Sequence, residues 1–253
     1  MKNLRKALSF PQVLRYNGNE AGVPAGRSDM TAEEAVLKRH SVRAYEDREI
    51  PDEIVRALEE EVAAVNAEGK LAVRLVRKEP RAFRSFLARY GKFSGVKNYF
   101  AMAGLPEKGL SERVGYFGER LVLRAQELGL NTCWAALSFG KGSAKEAARL
   151  AKGEKLVCVI ALGYGKTQGV PHKSKRFAAV AKADDPPVWF RKGVDYALLA
   201  PTAVNQQKFF FTLTGENKVR AEQKGGFYGE IDLGIVKYHF EIGAGKENFV
   251  WEE

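Results

Sequence analysis

The chain has 253 residues, a formal net charge of +10, 45% hydrophobic and 28% charged residues, and two cysteines. These values suit a globular protein of one large or two modest domains and exclude a disordered chain. No apolar run approaches the roughly 20 residues that cross a bilayer, and few cysteines without an export signal predict a reduced, cytoplasmic protein.

The basic balance would suit nucleic acid, anionic lipid or a phosphorylated ligand. Lys and Arg are dispersed, with short concentrations over 74–89 and 166–182. No aromatic stacking platform, zinc finger, helix-turn-helix or RNP signature accompanies them. The expected partner is therefore a small molecule, with no nucleic acid and no membrane.

Residues 1–30 are polar and Gly-rich and read as an N-terminal arm. Thr31 opens a short capped helix to Lys38, with acids in its first turn. Arg39-His40-Ser41-Val42-Arg43 follows. In an extended chain Arg39, Ser41 and Arg43 share a face, and two guanidinium forks flanking a hydroxyl suit an oxyanion. Pro51 starts a helix whose apolar stripe is Ile54, Val55, Leu58, Val62 and Val65, before Gly69. A strand over 71–77, a basic helix over 81–89 and a buried strand over 99–104 come next.

The strongest helical pattern starts at Ser111 and carries Val114, Phe117, Leu121, Val122, Ala125 and Leu128 before Gly129. Gly115 and Gly118, on or near that stripe, predict close packing against another helix. An extended segment over 130–137, a helix over 144–151 and a buried strand over 155–162 follow. Asp184-Asp185-Pro186-Pro187 punctuates the chain. A helix then runs towards Pro201, a strand occupies 209–214, Gly225-Gly226 turns, and a last helix covers 232–242 before Gly243. This is α+β, read as three α/β/α layers.

Gly163-Tyr164-Gly165-Lys166-Thr167 is not a P-loop, because Ile160 stands where a glycine is needed and Gly169 and Pro171 preclude the following helix. A dinucleotide fingerprint is absent for the same reason. His40, His172 and His239 are scattered, so no metal site is predicted, and His239 reads as a core histidine. Cys158 is a packing residue, and Cys133 has no visible base to activate it. The chain shows no set of acid, base and nucleophile, and an enzyme without one usually lets a cofactor carry the chemistry. Two further stretches could hold one: the cations of His172-Lys173-Ser174-Lys175-Arg176, and the small polar residues Ala200-Pro201-Thr202-Ala203-Val204-Asn205-Gln206-Gln207.

Together these stretches resemble the nitroreductase family of FMN flavoproteins, over about residues 31–180. The resemblance implies that Arg39, His40, Ser41 and Arg43 bind FMN, Arg39 and Ser41 at phosphate or ribityl and Arg43 at the ring edge. It puts Trp134, Ala135 and Ala136 at the flavin N5 region, Lys92 at the ring edge, and Lys173, Lys175 and Arg176 at the phosphate. The family's A-P-S-x-x-N-x-Q-P-W string does not follow the first long helix. It resembles 200–209 instead, giving Pro201, Thr202, Ala203 and Asn205 as flavin contacts. The chain is thus similar to a single-chain, pseudo-dimeric branch: residues 31–183 form the FMN unit, and 184–253 a shortened second copy that completes the site in cis. The chain would then be a monomer or a homodimer.

The implied activity is hydride transfer from NAD(P)H through FMN to a nitroaromatic, quinone or enone, with no catalytic side chain required. Alternatives are a flavin destructase fragmenting reduced FMN and a non-enzymatic FMN sensor or carrier.

Overall fold

The structure, a computed structural model, describes residues 30–252. The expected arm lies outside these residues apart from Met30. Thr31 caps α1 (Ala32–Lys38): its hydroxyl accepts from the Glu34 amide at 3.2 Å, and the Glu34 carboxylate accepts from the Thr31 amide at 3.1 Å. Pro51 precedes α2 (Asp52–Gly69), whose predicted stripe is buried throughout.

The first sheet contains β1 (Arg74–Val76), β2 (Asn98–Gly104), β3 (Asn131–Ala135) and β4 (Lys155–Gly163), all antiparallel in the order β1-β2-β4-β3. Its alternating side chains feed two cores. Phe100, Met102 and Ile160 face α2 and α4 (Leu110–Glu127). Tyr99, Ala101 and Val159 face Phe83, α3 (Phe86–Tyr90) and α5 (Lys141–Ala147). This sheet is therefore sandwiched between helices, as the three-layer reading expects.

The second sheet runs β5 (Ala181–Lys182), β6 (Phe209–Leu213), β7 (Lys218–Gln223) and β8 (Val250–Trp251). The chain enters it before residue 184, because Ala181 pairs with Phe211. The sheet packs on α7 (Gly229–Ala244), which also lies along α6 (Val188–Ala197). Phe240 centres an aromatic cluster there, 4.7 Å from Phe211 and 5.7 Å from Phe190 between ring centroids. One continuous core joins this cluster to the α2 and α4 side of the first sheet.

Helices α4 and α7 meet backbone to backbone. A Cβ on Gly115 would lie 2.0 Å from the Ile231 carbonyl oxygen, and one on Gly234 would lie 2.0 Å from the Glu112 carbonyl oxygen. Each glycine thus approaches the carbonyl three residues before the other glycine. The contact is reciprocal, as across a two-fold axis.

Several elements differ from expectation. Residues 81–89 do not form one helix: Arg81–Phe83 is a 3-10 turn, and Ser85 caps α3 anew by accepting from the Ala88 amide. The strand expected over 71–77 shrinks to β1, because the Asn66 side-chain amide takes both backbone groups of Val73. The helix expected over 144–151 is α5, and α4 starts at Leu110 after a left-handed Gly109 rather than at Ser111. α7 runs through Gly243, which packs on Lys192 and Tyr196, and stops at Gly245. β7 and β8 were not foreseen, because Val219 is the only fully buried residue of β7 and no apolar alternation marks it.

Candidate functional site

Residues after α1 form an extended ribbon stitched between two segments. The Val42 amide donates to the Thr132 carbonyl at 3.0 Å, and Ser94 exchanges backbone hydrogen bonds with Arg43 and Tyr45. Val42 is buried, so Ser41 and Arg43 face the other way, into a cleft of about 290 Å3 that both line. The Arg43 side chain forms no ion pair among the described residues.

Trp134, Ala135 and Ala136 line the same cleft, as do Pro201, Thr202 and Ala203. Three stretches far apart in sequence therefore converge on one cleft. The floor and rim add Gly91, Phe93, Tyr228 and Asp232, which were not expected. Cys133 and Cys158 also line the cleft; burial raises both thiol pKa values, which argues against a thiolate nucleophile.

Arg39 departs from the predicted pattern. It still belongs to the end of α1, where its amide donates to the Ala35 carbonyl, and its side chain turns inward. The guanidinium is buried, 3.8 Å through Nε from Glu119, and donates to the Leu199 carbonyl at 3.3 Å. Burial lowers its pKa and Glu119 opposes that shift. Glu119 is fully buried and also accepts from Trp134 Nε1 at 2.9 Å and contacts His239 Nε2 at 2.8 Å. His239 Nδ1 faces the Tyr196 carbonyl at 3.1 Å and so must donate to it. His239 is a hydrogen-bonded core histidine, as expected. Arg39, Glu119 and His239 form one ionisable cluster behind the cleft, with Trp134 joining it to the cleft wall.

The remaining candidates lie beside the cleft. Lys92 is exposed, between the lining residues Gly91 and Phe93. Asn205 points away: its amide donates to the Lys173 carbonyl at 2.9 Å, and the string reaches the cleft through Pro201 to Val204 instead. Gln207 holds the cation stretch, accepting from the Lys175 amide and donating to the Lys173 carbonyl, both at 2.8 Å. Lys173, Lys175 and Arg176 are exposed, and Lys175 Nζ donates to the Gln207 carbonyl. His172 contacts the Leu198 carbonyl at 2.9 Å. The pKa of His40 is lowered by burial, then by Arg39 and His172, so three cation-forming side chains crowd one place. An anion bound there would relieve that repulsion.

The loop after Pro201 is strained. Val204, Asn205 and Gln207 all have positive φ, at 45°, 54° and 46°. Asp232 restrains the loop: its carboxylate accepts from the Ala203 amide at 2.9 Å and from Gln206 Nε2 at 2.7 Å. Burial outweighs these donors and raises its pKa to about 6. Protonation is thus favoured by folding, and the residue's contribution to stability falls as pH rises from about 4 through about 6. The difference in unfolding free energy between the wild type and Asp232→Asn should drop by about 3 kcal/mol over that range, as measured by denaturant titration. A flat difference would rule out the shift. In sequence, Asp232 looks like any first-turn acid. Glu119 did leave a signal, lying four residues after Gly115 and three before Val122 on the apolar stripe of α4.

The family described as "Putative TM nitroreductase" matches residues 31–244. A putative nitroreductase of Thermotoga maritima superposes with a TM-score of 0.64 at 21% identity, covering 90% of both chains. A nitroreductase-like protein of Streptococcus mutans matches 60% of this chain and 97% of its own at 15% identity, with a TM-score of 0.51. A putative nitroreductase of Desulfovibrio desulfuricans, in complex with FMN, matches 62% of this chain and 99% of its own at 17% identity, with a TM-score of 0.50. No curated protein matches. No helix among the described residues is long and apolar enough to cross a membrane.

Proposed function

Since the chain belongs to the TM nitroreductase family, we propose that it is an FMN-dependent oxidoreductase that passes hydride from NAD(P)H to a small electrophilic acceptor such as a nitroaromatic, quinone or enone. One observation carries this reading: Ser41 and Arg43, Trp134 to Ala136 and Pro201 to Ala203 line one cleft. A fold relative that is in complex with FMN supports it.

The residues present suit the cofactor. The cleft lies at the lower end of the roughly 300–1,000 Å3 usual for ligand sites, which fits a flat ring whose tail leaves the pocket. Arg43 offers a free guanidinium at the ring edge, Ser41 a hydroxyl, and β3 its backbone. Lys173 and Arg176 are the cations available for a phosphate, with the neutral His40 ring beside them as a hydrogen-bond donor, while Arg39 acts from behind through Glu119 and Trp134. Bound FMN would supply hydride transfer at N5, and a cation near its N1 and O2 side would favour the reduced anion.

The second unit is a shortened copy of the first and provides in cis the loop that closes the cleft. The reciprocal glycine contact of α4 and α7, which pairs Gly115 with Gly234, supports this.

The test is purification of the full chain, followed by an absorption spectrum and anaerobic titration with NADH and NADPH. A flavin spectrum that bleaches with either nucleotide is expected. Arg43→Ala should weaken FMN binding by roughly ten- to a hundredfold, the loss of about 1.5–3 kcal/mol for a hydrogen bond to a charged group. Protein that binds no flavin sinks the assignment. A bound flavin that neither nucleotide reduces indicates a carrier, and loss of the chromophore on aerobic reduction indicates a destructase.

A further inference from the structure

The mouth of the cleft carries an unusual surface. Between Glu79 and Glu107 the sequence contains no acidic residue. Within this stretch Arg84, Arg89 and Lys92 are exposed and form no ion pair among the described residues. Interleaved with them, Phe86, Leu87 and Tyr90 of α3 are also exposed, Phe86 at 81% and Tyr90 at 84%. They are not core residues that failed to pack. Ser85 caps the helix, Ala88 fills its inward position, and Phe83 and Phe93 pack edge to face at 5.0 Å on either side.

The patch adjoins the cleft. Gly91, which follows α3, lines the cleft and packs so tightly on Ser138 that a Cβ there would lie 2.4 Å away. Leu137, beside Ser138, is exposed. Across the opening Val204 is 90% exposed, and Phe227 stands exposed next to the lining residue Tyr228. Leu137 and Val204 thus line the opening itself, and Phe86, Leu87, Tyr90 and Phe227 each lie within five residues of a lining residue, together six of the eleven exposed large hydrophobics among the described residues.

We infer that this rim docks on an anionic lipid surface, with Phe86, Leu87 and Tyr90 entering the headgroup region and Arg84, Arg89 and Lys92 meeting lipid phosphate. Interleaved basic and aromatic side chains are the composition of interfacial segments, and nothing needs to span the bilayer. Charge weighs against a second copy, and the apolar side chains weigh against nucleic acid. A second copy using the same patch would oppose three unpaired cations with three more, on chains that each carry +10. Nucleic acid would satisfy the cations but leave Leu87, Leu137 and Val204 against a polar backbone. This surface revises the expectation of no membrane partner. If the FMN reading holds, it also narrows the acceptor to an apolar electrophile dissolved in lipid, which reaches the cleft from the interface.

The full chain should be sedimented with vesicles of phosphatidylcholine alone and of phosphatidylcholine with phosphatidylglycerol. Binding to the anionic vesicles is expected to be at least tenfold tighter. Phe86→Ser/Tyr90→Ser and Arg84→Glu/Arg89→Glu should each lower it by tenfold or more. Equal binding to both vesicles, or to neither, overturns the inference. So does loss in the arginine variant alone, which would mark simple charge attraction. A wild-type dimer that Phe86→Ser/Tyr90→Ser makes monomeric would assign the patch to a second copy. Flavin content is read on the same samples, so failure of the FMN reading is seen separately from failure of the docking.

Discussion

Glu119→Leu should destabilise the protein by about 3–5 kcal/mol, the usual cost of leaving one member of a buried ion pair alone. The change strands the Arg39 guanidinium in the core and leaves the indole N–H of Trp134 without its acceptor. A urea titration measures the loss, and a second variant gives it meaning. Arg39→Met with Glu119→Leu removes both charges and should recover much of the stability, because an apolar pair of similar volume often equals a buried ion pair. If the double variant is as unstable as the single, Arg39 is not the partner that Glu119 neutralises. The recovered protein should still bind FMN weakly, since Trp134 would line the cleft without an anchor.

Gly234→Val is expected to cost about 3 kcal/mol or more, at the upper end of overpacking, or to prevent folding. The new side chain would meet two backbone atoms, the Glu112 carbonyl oxygen at 2.0 Å and the Tyr116 amide nitrogen at 2.5 Å, and neither can rotate away. Gly142→Ala serves as control. Nothing lies within 4 Å of its added Cβ inside α5, so it should raise stability by up to about 1 kcal/mol. Thermal melts of both variants decide the matter. A Gly234→Val protein that melts like the wild type would contradict the backbone contact of α4 and α7.

The parts of the fold legible in the sequence were those where one local signal settled the answer. Thr31 with Glu34, the stripe from Ile54 to Val65 and the apolar runs at 99–104 and 155–162 each had a period or a cap that packing did not override. β7 escaped because its polar residues record only that one face meets water. The site divides along similar lines. Ser41 and Arg43 follow from strand alternation, which holds once Val42 is buried. Arg39 breaks it because the helix has not yet released the chain there. Asp232 and Glu119 act through residues 29 and 120 positions away, at Ala203 and His239, and no local pattern encodes such pairings.

One chain supplies both walls of the cleft, Ser41 and Trp134 from one side and Pro201 to Ala203 from the other. The local concentration of the closing loop is then set by the covalent chain and does not fall when the protein is diluted. Cofactor retention should be independent of protein concentration, unlike a site shared between subunits, which empties as the subunits part.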